Sequence, residues 1–360
     1  MTEAAPTLPR RARSLTRRIV RVALWAVLGL VVTFAIFFFW ASGGDSDDRL
    51  VAPGVLGENP KGTKKTEARE LKVLTFNIAY GRGPAGDASG PWAESEIRQG
   101  LDGIAAQIRD SDADLVFMQE VDLGASRSHD IDEGRFLLEA TGLGYSSCVV
   151  TWEKNYVPFP YWPPSKHYGA MKSGQCILSR FPIMASTRHR LPQPEANAWW
   201  RNRFYLNRAI DHAQLDIGGR PFDVFNVHTE AFDADNRMEH ARLLVKLVGE
   251  TTKNSAGRVL VAGDFNAPPP EASQKKGFVD EPETDFSRDE TIAIVRTAGL
   301  AEVLPDPAAF TFPADAPSRR LDYIWFGSAL ERTDAKVLAA PPGPWSDHLP
   351  VLARFTLKAP

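Results

Sequence analysis

The sequence predicts an α/β protein, a four-layer α/β/β/α sandwich of two packed mixed sheets, preceded by one transmembrane helix. Three observations lead there. Short apolar runs alternate with helix-like stretches after residue 70, polar residues able to do chemistry fall at the ends of those runs, and twenty uncharged residues stand together near the N-terminus. A length of 360 residues suits a small region ahead of one large domain.

Residues 22–41 read VALWAVLGLVVTFAIFFFWA, and as a helix they would span roughly 30 Å, the thickness of the hydrocarbon layer. Arg10, Arg11, Arg13, Arg17, Arg18 and Arg21 precede the run and GGDSDD follows it. The positive-inside rule therefore makes residues 1–21 a cytoplasmic Arg-rich segment and places everything after residue 42 outside the cytoplasm. A cleaved signal peptide, cut near Ala41-Ser42-Gly43, and a buried core helix are the rival readings. The run is long for a signal, and its all-round apolar surface ending in FFFW suits lipid. Residues 42–70 hold Gly, Asp, Pro, Lys and Glu with almost no apolar run, which is the composition of a linker that builds no core.

The large domain covers residues 71–360. LKVLTFNIA (71–79) predicts a buried strand, followed by a Gly-rich turn. A helix is predicted over 92–109, where Ile97, Leu101, Ile104, Ala105 and Ile108 recur at steps of three and four. DLVFMQE (114–120) is the next strand. Further strands are predicted at 174–180, 206–216, 222–229, 258–264, 321–327 and 349–356, with an amphipathic helix over 235–251 carrying Met238, Ala241, Leu244, Val245 and Val248 on one face. Asn77, Glu120, His228, Asp264, Asn266, Asp347 and His348 each sit at or near the end of such a run. Side chains at strand ends can converge in one cleft, so this set is the candidate site.

Composition narrows the function. The chain is 43% hydrophobic and 24% charged with a formal net charge of -3, a balance that weighs against gripping polyanions by overall charge. The two cysteines, Cys148 and Cys176, fit no zinc pattern. They read first as two buried small side chains, and as a disulfide only in an oxidising compartment.

Seven strings carry a resemblance: TFN (75–77), QE (119–120), SGQCILSRFPI (173–183), NVHTEAFD (226–233), GDFNAPP (263–269), RLDYIWF (320–326) and SDHLP (346–350). Their order and spacing resemble the motif set of the deoxyribonuclease I-like endonuclease/exonuclease/phosphatase superfamily over nearly all of residues 71–357. The resemblance implies a metal-dependent phosphoric ester hydrolase, with 71–360 as its catalytic domain. It implies that Glu120 binds the ion, with Asn77 holding the ion or the phosphate and Asp347 as a metal-side carboxylate. It further implies that Asp264 positions or deprotonates the attacking water, Asn266 hydrogen-bonds the phosphate, and His228 and His348 contact it while Asp322 orients the His348 ring. The chemistry asks for such groups in any case. A hard cation on carboxylate and amide oxygens, Mg²⁺ first and Mn²⁺ or Ca²⁺ as alternatives, neutralises phosphoryl oxygens and the leaving group. A histidine with a fixed tautomer stabilises charge or moves a proton. Gly174–Arg180 reads as scaffold. Arg208 is read as either facing the cleft or lying on the surface, and His129, His167, His189, His212 and His240 as structural.

Between Cys148 and Gly174 the sequence VVTWEKNYVPFPYWPPSKHYGAMKS concentrates Trp, Tyr and Pro. A substrate-selecting lid, a lipid-docking surface and packing over a sheet edge are its three readings. AWWRNRFY (198–205), with Arg201 and Arg203, is a partner for it. The expected partners are a phosphodiester substrate, lipid or nucleic acid, and the bilayer through residues 22–41; no protein partner is inferable. An anchored, outward domain without basic excess points to a lipid head group or similar extracytoplasmic phosphodiester. A membrane-anchored nuclease, a phosphomonoesterase and a silent phospholigand-binding module are the alternatives.

Overall fold

A computed structural model describes residues 10–83, 90–255, 257–341 and 345–358. Residues 1–9 of the Arg-rich segment and part of the Gly-rich turn after the first predicted strand lie outside these.

The chain opens with helix α1 (Arg10–Ala41), then β1 (Val51–Pro53), β2 (Val55–Glu58), β3 (Glu70–Asn77), α2 (Glu94–Ser111), β4 (Leu115–Asp122), α3 (Glu133–Thr141), β5 (Tyr145–Val157), β6 (Gly169–Ser179) and β7 (Ile183–Arg190). It continues through the short α4 (Trp199–Asn202), β8 (Ala209–Asp216), β9 (Pro221–His228), α5 (Ala234–Ser255), β10 (Val259–Asp264), α6 (Thr291–Arg296), β11 (Ala301–Glu302), β12 (Asp322–Phe326), β13 (Leu330–Val337) and β14 (Val351–Leu357). One seven-stranded sheet has the order β1-β7-β8-β9-β10-β12-β11, and the other β13-β14-β3-β4-β6-β5-β2. Both are mixed: β9 and β10 run parallel, as do β3 and β4, while their other neighbours are antiparallel.

Three apolar layers hold the sandwich together. Leu71, Val73, Phe117, Ile177, Val224 and Leu260 belong to the layer between the sheets. Alternate residues of β3 and β4, such as Leu74, Phe76, Val116 and Met118, point the other way and pack with Ile97, Leu101, Ile104 and Ile108 of α2. On the outer face of the first sheet Phe225, Val227, Val259 and Val261 pack with Ala241, Leu244 and Val248 of α5. Each fully buried Phe or Leu contributes about 1.5–3 kcal/mol relative to exposure. The predicted four-layer architecture is the observed one.

Helix α1 contains an apolar stretch, Arg17–Ala41, long and apolar enough to cross a membrane. Leu24, Trp25, Leu30, Phe34 and Ile36 expose 63–71% of their surface, so this is no core helix of the domain.

Two readings of the sequence are corrected. The segment 42–70 builds structure: Val51–Pro53 pairs with Thr187–His189, and Val55–Glu58 with Tyr145–Cys148, adding an edge strand to each sheet. Edge strands bind through main-chain hydrogen bonds and need no apolar run, and proline is tolerated there, which is why composition missed them. The cysteines are paired: Cys148 and Cys176 face each other in the β5–β6 register and form a disulfide with Cα atoms 4.2 Å apart. Membership of adjacent strands, invisible from spacing alone, brings them together.

Candidate functional site

The parallel and antiparallel pairings at the ends of β9, β10 and β12 set three of the candidate residues side by side. Asp264 is in register with His228 on one side and with Asp322 on the other. Gly263, just before it, has φ +147°, and a Cβ there would meet the Val227 carbonyl oxygen at 1.9 Å, so the GDFN string needs its glycine for β9 and β10 to pair at this point. From the opposite sheet, Asn77 ends β3, and Glu120 stands where the β4–β6 register slips between Met118 and Val121. The backbone of Glu120 has φ +55°, so a bulge aims its carboxylate away from the alternation of the strand. Asn266 also has a left-handed backbone, φ +48°.

The side chains interlock. Asn77 Nδ2 donates to Asp264 Oδ2 at 3.0 Å and lies 3.5 Å from His348 Nε2. His348 Nδ1 donates to Asp322 Oδ2 at 2.8 Å, which leaves Nε2 facing Asp264 Oδ2 at 3.7 Å. His228 Nε2 is 3.4 Å from the same Asp264 oxygen and 3.9 Å from Glu120 Oε1. Asp347 lies among the same charges, its carboxyl raised to about 6 by burial and by Glu120, against the lowering effect of His348. Asn266 turns back on the strand end: its N–H donates to Asp264 Oδ1 at 2.8 Å, and its Nδ2 to the Thr229 carbonyl at 3.1 Å. The structure thus groups all eight candidate residues at one end of the sandwich.

Sequence reasoning left Arg208 undecided and passed over Ser346, Thr311 and Glu230. Arg208 is buried, with Nη1 2.8 Å from His228 Nε2 and 2.9 Å from Nδ1. Ser346 Oγ donates to the Asn77 carbonyl at 2.6 Å and accepts from the His348 N–H at 3.1 Å, tying the SDH string to β3. Thr311 Oγ1 accepts from the N–H of Asp322 at 3.2 Å. Glu230 accepts a 2.6 Å hydrogen bond from the Tyr205 hydroxyl. Ser346 within SDHLP and Glu230 within NVHTEAFD were the available signals. His240, read as structural, is buried with both ring nitrogens engaged by backbone, at Glu230 and Pro192.

Electrostatics separate the histidines. Burial, then the guanidinium of Arg208, holds His228 well below the usual imidazole range, so it is neutral. Burial also opposes a charge on His348, but the carboxylates of Asp322 and Asp264 outweigh it and raise His348 well above that range, so it is imidazolium. Burial raises Asp264 to about 6, assisted by Asp322. Glu120, whose side chain stays 25% exposed, is raised by desolvation and by Asp264 and lowered by Arg208 and His348.

So many carboxylates around one cleft fit a divalent cation. Asn77 and Asp347 both bear on the Glu120 carboxyl, so these three offer hard oxygens to one ion, while Asp264, Asp322 and His348 form a second cluster with ligand atoms within 4.8 Å of one another. A model of the endonuclease/exonuclease/phosphatase family matches residues 74–348, most of the chain. The chain belongs to the endonuclease/exonuclease/phosphatase family. Enzymes of this family are generally divalent-metal-dependent, and its members include phosphoester hydrolases. An inositol phosphosphingolipids phospholipase C of Schizosaccharomyces pombe is 26% identical over 211 residues, 56% of this chain and 42% of that protein. A putative neutral sphingomyelinase of Drosophila melanogaster is 26% identical over 224 residues, covering 57% and 41%. The chain therefore spans less than half the length of these relatives. Among solved structures, a family protein from Beutenbergia cavernae superposes with TM-score 0.58 at 22% identity, covering 81% of this chain and 72% of that one. The human Nocturnin catalytic domain with bound sulfate gives 0.54 at 19%, covering 85% and 98%. At these identities the two structures establish the family's fold.

Proposed function

We propose that the domain hydrolyses a phosphodiester, a lipid head group exposed outside the cytoplasm, with Mg²⁺ as its cation. The observation that carries this is the meeting of Asn77, Glu120, His228, Asp264, Asp322 and His348 at one end of the sandwich, with His228 neutral and His348 charged. A relative named as an inositol phosphosphingolipids phospholipase C and one named as a putative neutral sphingomyelinase support the lipid, and α1 supports a membrane setting. The disulfide supports an oxidising compartment, hence a domain outside the cytoplasm with the N-terminus inside.

Glu120, Asn77 and Asp347 are the proposed metal-holding set. Asp322 and His348 also have ligand atoms close together, but the His348 Nδ1–Asp322 Oδ2 hydrogen bond at 2.8 Å supports reading this pair as one that manages proton and charge. The bound cation supplies charge neutralisation at the phosphoryl oxygens. Asp264, with its pKa near 6 and ionised at neutral pH, is placed to accept a proton from the attacking water as the water oxygen bonds to phosphorus. The His348 imidazolium, fixed by Asp322, faces the charge that develops on the phosphoryl group as the P–O ester bond breaks, and the departing oxygen leaves with the bonding pair and takes a proton from solvent. Asn77 and Asn266 orient the phosphate, and neutral His228 contacts it beside Arg208.

The test is head-group release by the full chain in vesicles of sphingomyelin and phosphatidylcholine, with single- and double-stranded DNA and an inositol phosphate alongside. Mg²⁺-dependent lipid cleavage that disappears in Glu120→Ala supports the reading. Cleavage of DNA alone would transfer the site to a nuclease, and undiminished activity in Glu120→Ala would sink the site assignment.

A further inference from the structure

The end of α1 is not a free tether. Residues of β5 descend along it in order: Glu153 accepts hydrogen bonds from Ser46, Lys154 pairs with Asp45 at 2.8 Å, the Asn155 N–H donates to Gly43 O at 2.7 Å, Asn155 Nδ2 donates to Trp40 O at 2.9 Å, and the Tyr156 ring meets Phe37 at 5.9 Å. Each step forward along β5 is a step back along the chain, from the residues that follow α1 to Trp40 and Phe37 in its last turns. A second element reaches the same level, with Phe38 packing edge-on against Trp199 at 5.8 Å and Phe204 at 5.3 Å. Lys154 is buried, so the docking is built from desolvated as well as surface contacts.

Beyond Tyr156 the β5–β6 connection carries outward aromatics, with Phe159 46%, Tyr161 69% and Trp162 81% exposed. In the α4 segment Trp199 is 68% and Trp200 48% exposed. The exposed cations beside them are Lys166, Arg201 and Arg203, and neither 157–168 nor 198–205 contains a carboxylate. Indole and phenol rings carrying basic neighbours suit the interface between hydrocarbon and phosphate head groups.

We infer that these two segments form one bilayer-docking surface, continuous with the end of α1, that rests the domain on the head groups of the membrane α1 crosses. The inference rests on α1 being the anchor of the proposed function. Both segments also lead to the site. Three residues after α4, Tyr205 bonds Glu230, and Arg208 then meets His228. At the base of the aromatic hairpin Tyr168 and Trp152 lie against Arg127, whose guanidinium stacks on Tyr80 at 3.6 Å, and Tyr80 lies in the field of Glu120. Docking therefore brings the cleft to head-group level.

The test uses the full chain, one copy per nanodisc, in phosphatidylcholine with phosphatidylserine and a nitroxide at acyl carbon 5. A bimane is placed on Trp162→Cys, on Trp200→Cys and, as control, on Val279→Cys in the β10–α6 connection. Quenching at 162 and 200 well above that at 279 is expected, and quenching no greater than at 279 overturns the docking surface, a second protein copy being excluded by the loading. In parallel, the Trp162→Ala/Trp200→Ala double variant is expected to lose about 5-fold or more of its vesicle lipid hydrolysis, while turnover of a soluble aryl phosphodiester changes by less than about 2-fold. Equal loss on both substrates, or on neither, overturns it. Quenching together with soluble-diester cleavage but no lipid cleavage in the unmodified chain supports the surface and defeats the lipid-substrate reading instead.

Discussion

Two buried carboxyl groups on the same sheet, Asp211 of β8 and Asp264 of β10, look alike by burial and differ in company. Both are pushed up chiefly by desolvation, Asp211 to about 7 and Asp264 to about 6. Asp211 accepts hydrogen bonds from two neutral hydroxyls, Ser186 Oγ at 2.8 Å and Ser147 Oγ at 3.3 Å, and so joins the two sheets. Asp264 instead meets two histidines and an asparagine amide, each reaching it from a different strand or loop. A raised pKa therefore marks a buried acid, and only the presence of other groups able to exchange charge with it marks a chemical site.

The contrast is sharpest where activity and stability separate. Glu120→Ala and His348→Ala are each expected to cost about 10³-fold or more in kcat, as transition-state charge stabilisation is lost; Glu120→Ala should leave the thermal midpoint nearly unchanged, and a parallel fall there would make Glu120 structural. Stripping divalent ions with a chelator is expected to abolish turnover to a similar degree, and Mg²⁺ to restore it. Asp322→Asn keeps the shape but removes the charge opposite His348, so about 10²-fold of kcat should disappear, and NMR titration of His348 should show its pKa lowered. Gly263→Ala forces a Cβ onto the Val227 carbonyl and should destabilise the fold by about 2 kcal/mol or more in urea, an effect at the site that arises from backbone alone.

Asp211→Asn completes the series with the smallest effect on turnover, less than about 2-fold. Its signature is in pH. Folded Asp211 keeps its proton up to about pH 7, whereas the unfolded chain releases it near 4. The folded state thus holds the extra proton, and this group's stabilisation declines as pH rises from about 4 to 7, by roughly 1 kcal/mol per unit in mid-range. Urea titrations at several pH values should show that slope in the unmodified chain and a flatter one in Asp211→Asn. An unchanged slope would mean that Asp211 is already ionised.

What was legible beforehand follows from how each element gains its stability. Strands β3, β4, β9 and β10 are stabilised by apolar side chains, so Leu71–Phe76 and Val259–Ala262 announced them. Strand β13, LERTDAKV, buries Leu330 and leaves most of its length at the surface; main-chain pairing with β14 makes it a strand, and composition carries no trace of that. The same holds for β1 and β2. Asp264 could be picked out because it ends an apolar run, and Asp322 through the RLDYIWF string of the resemblance, but that they share one register could not. The bulge at Glu120, the disulfide and the Arg208–His228 contact depend on which strands become neighbours, and a linear pattern does not record this.

The ladder between β5 and the end of α1 has one more consequence. A domain on a slack tether would sweep a volume and meet its substrate at a bulk concentration. If α1 is the anchor and a lipid the substrate, as proposed, the domain held by Lys154, Asn155 and Tyr156 has little freedom beyond sliding and rotating with its helix. Its effective substrate concentration is then a surface density. Diluting the reactive lipid among inert neighbours should slow such a molecule, whereas diluting the whole suspension should not.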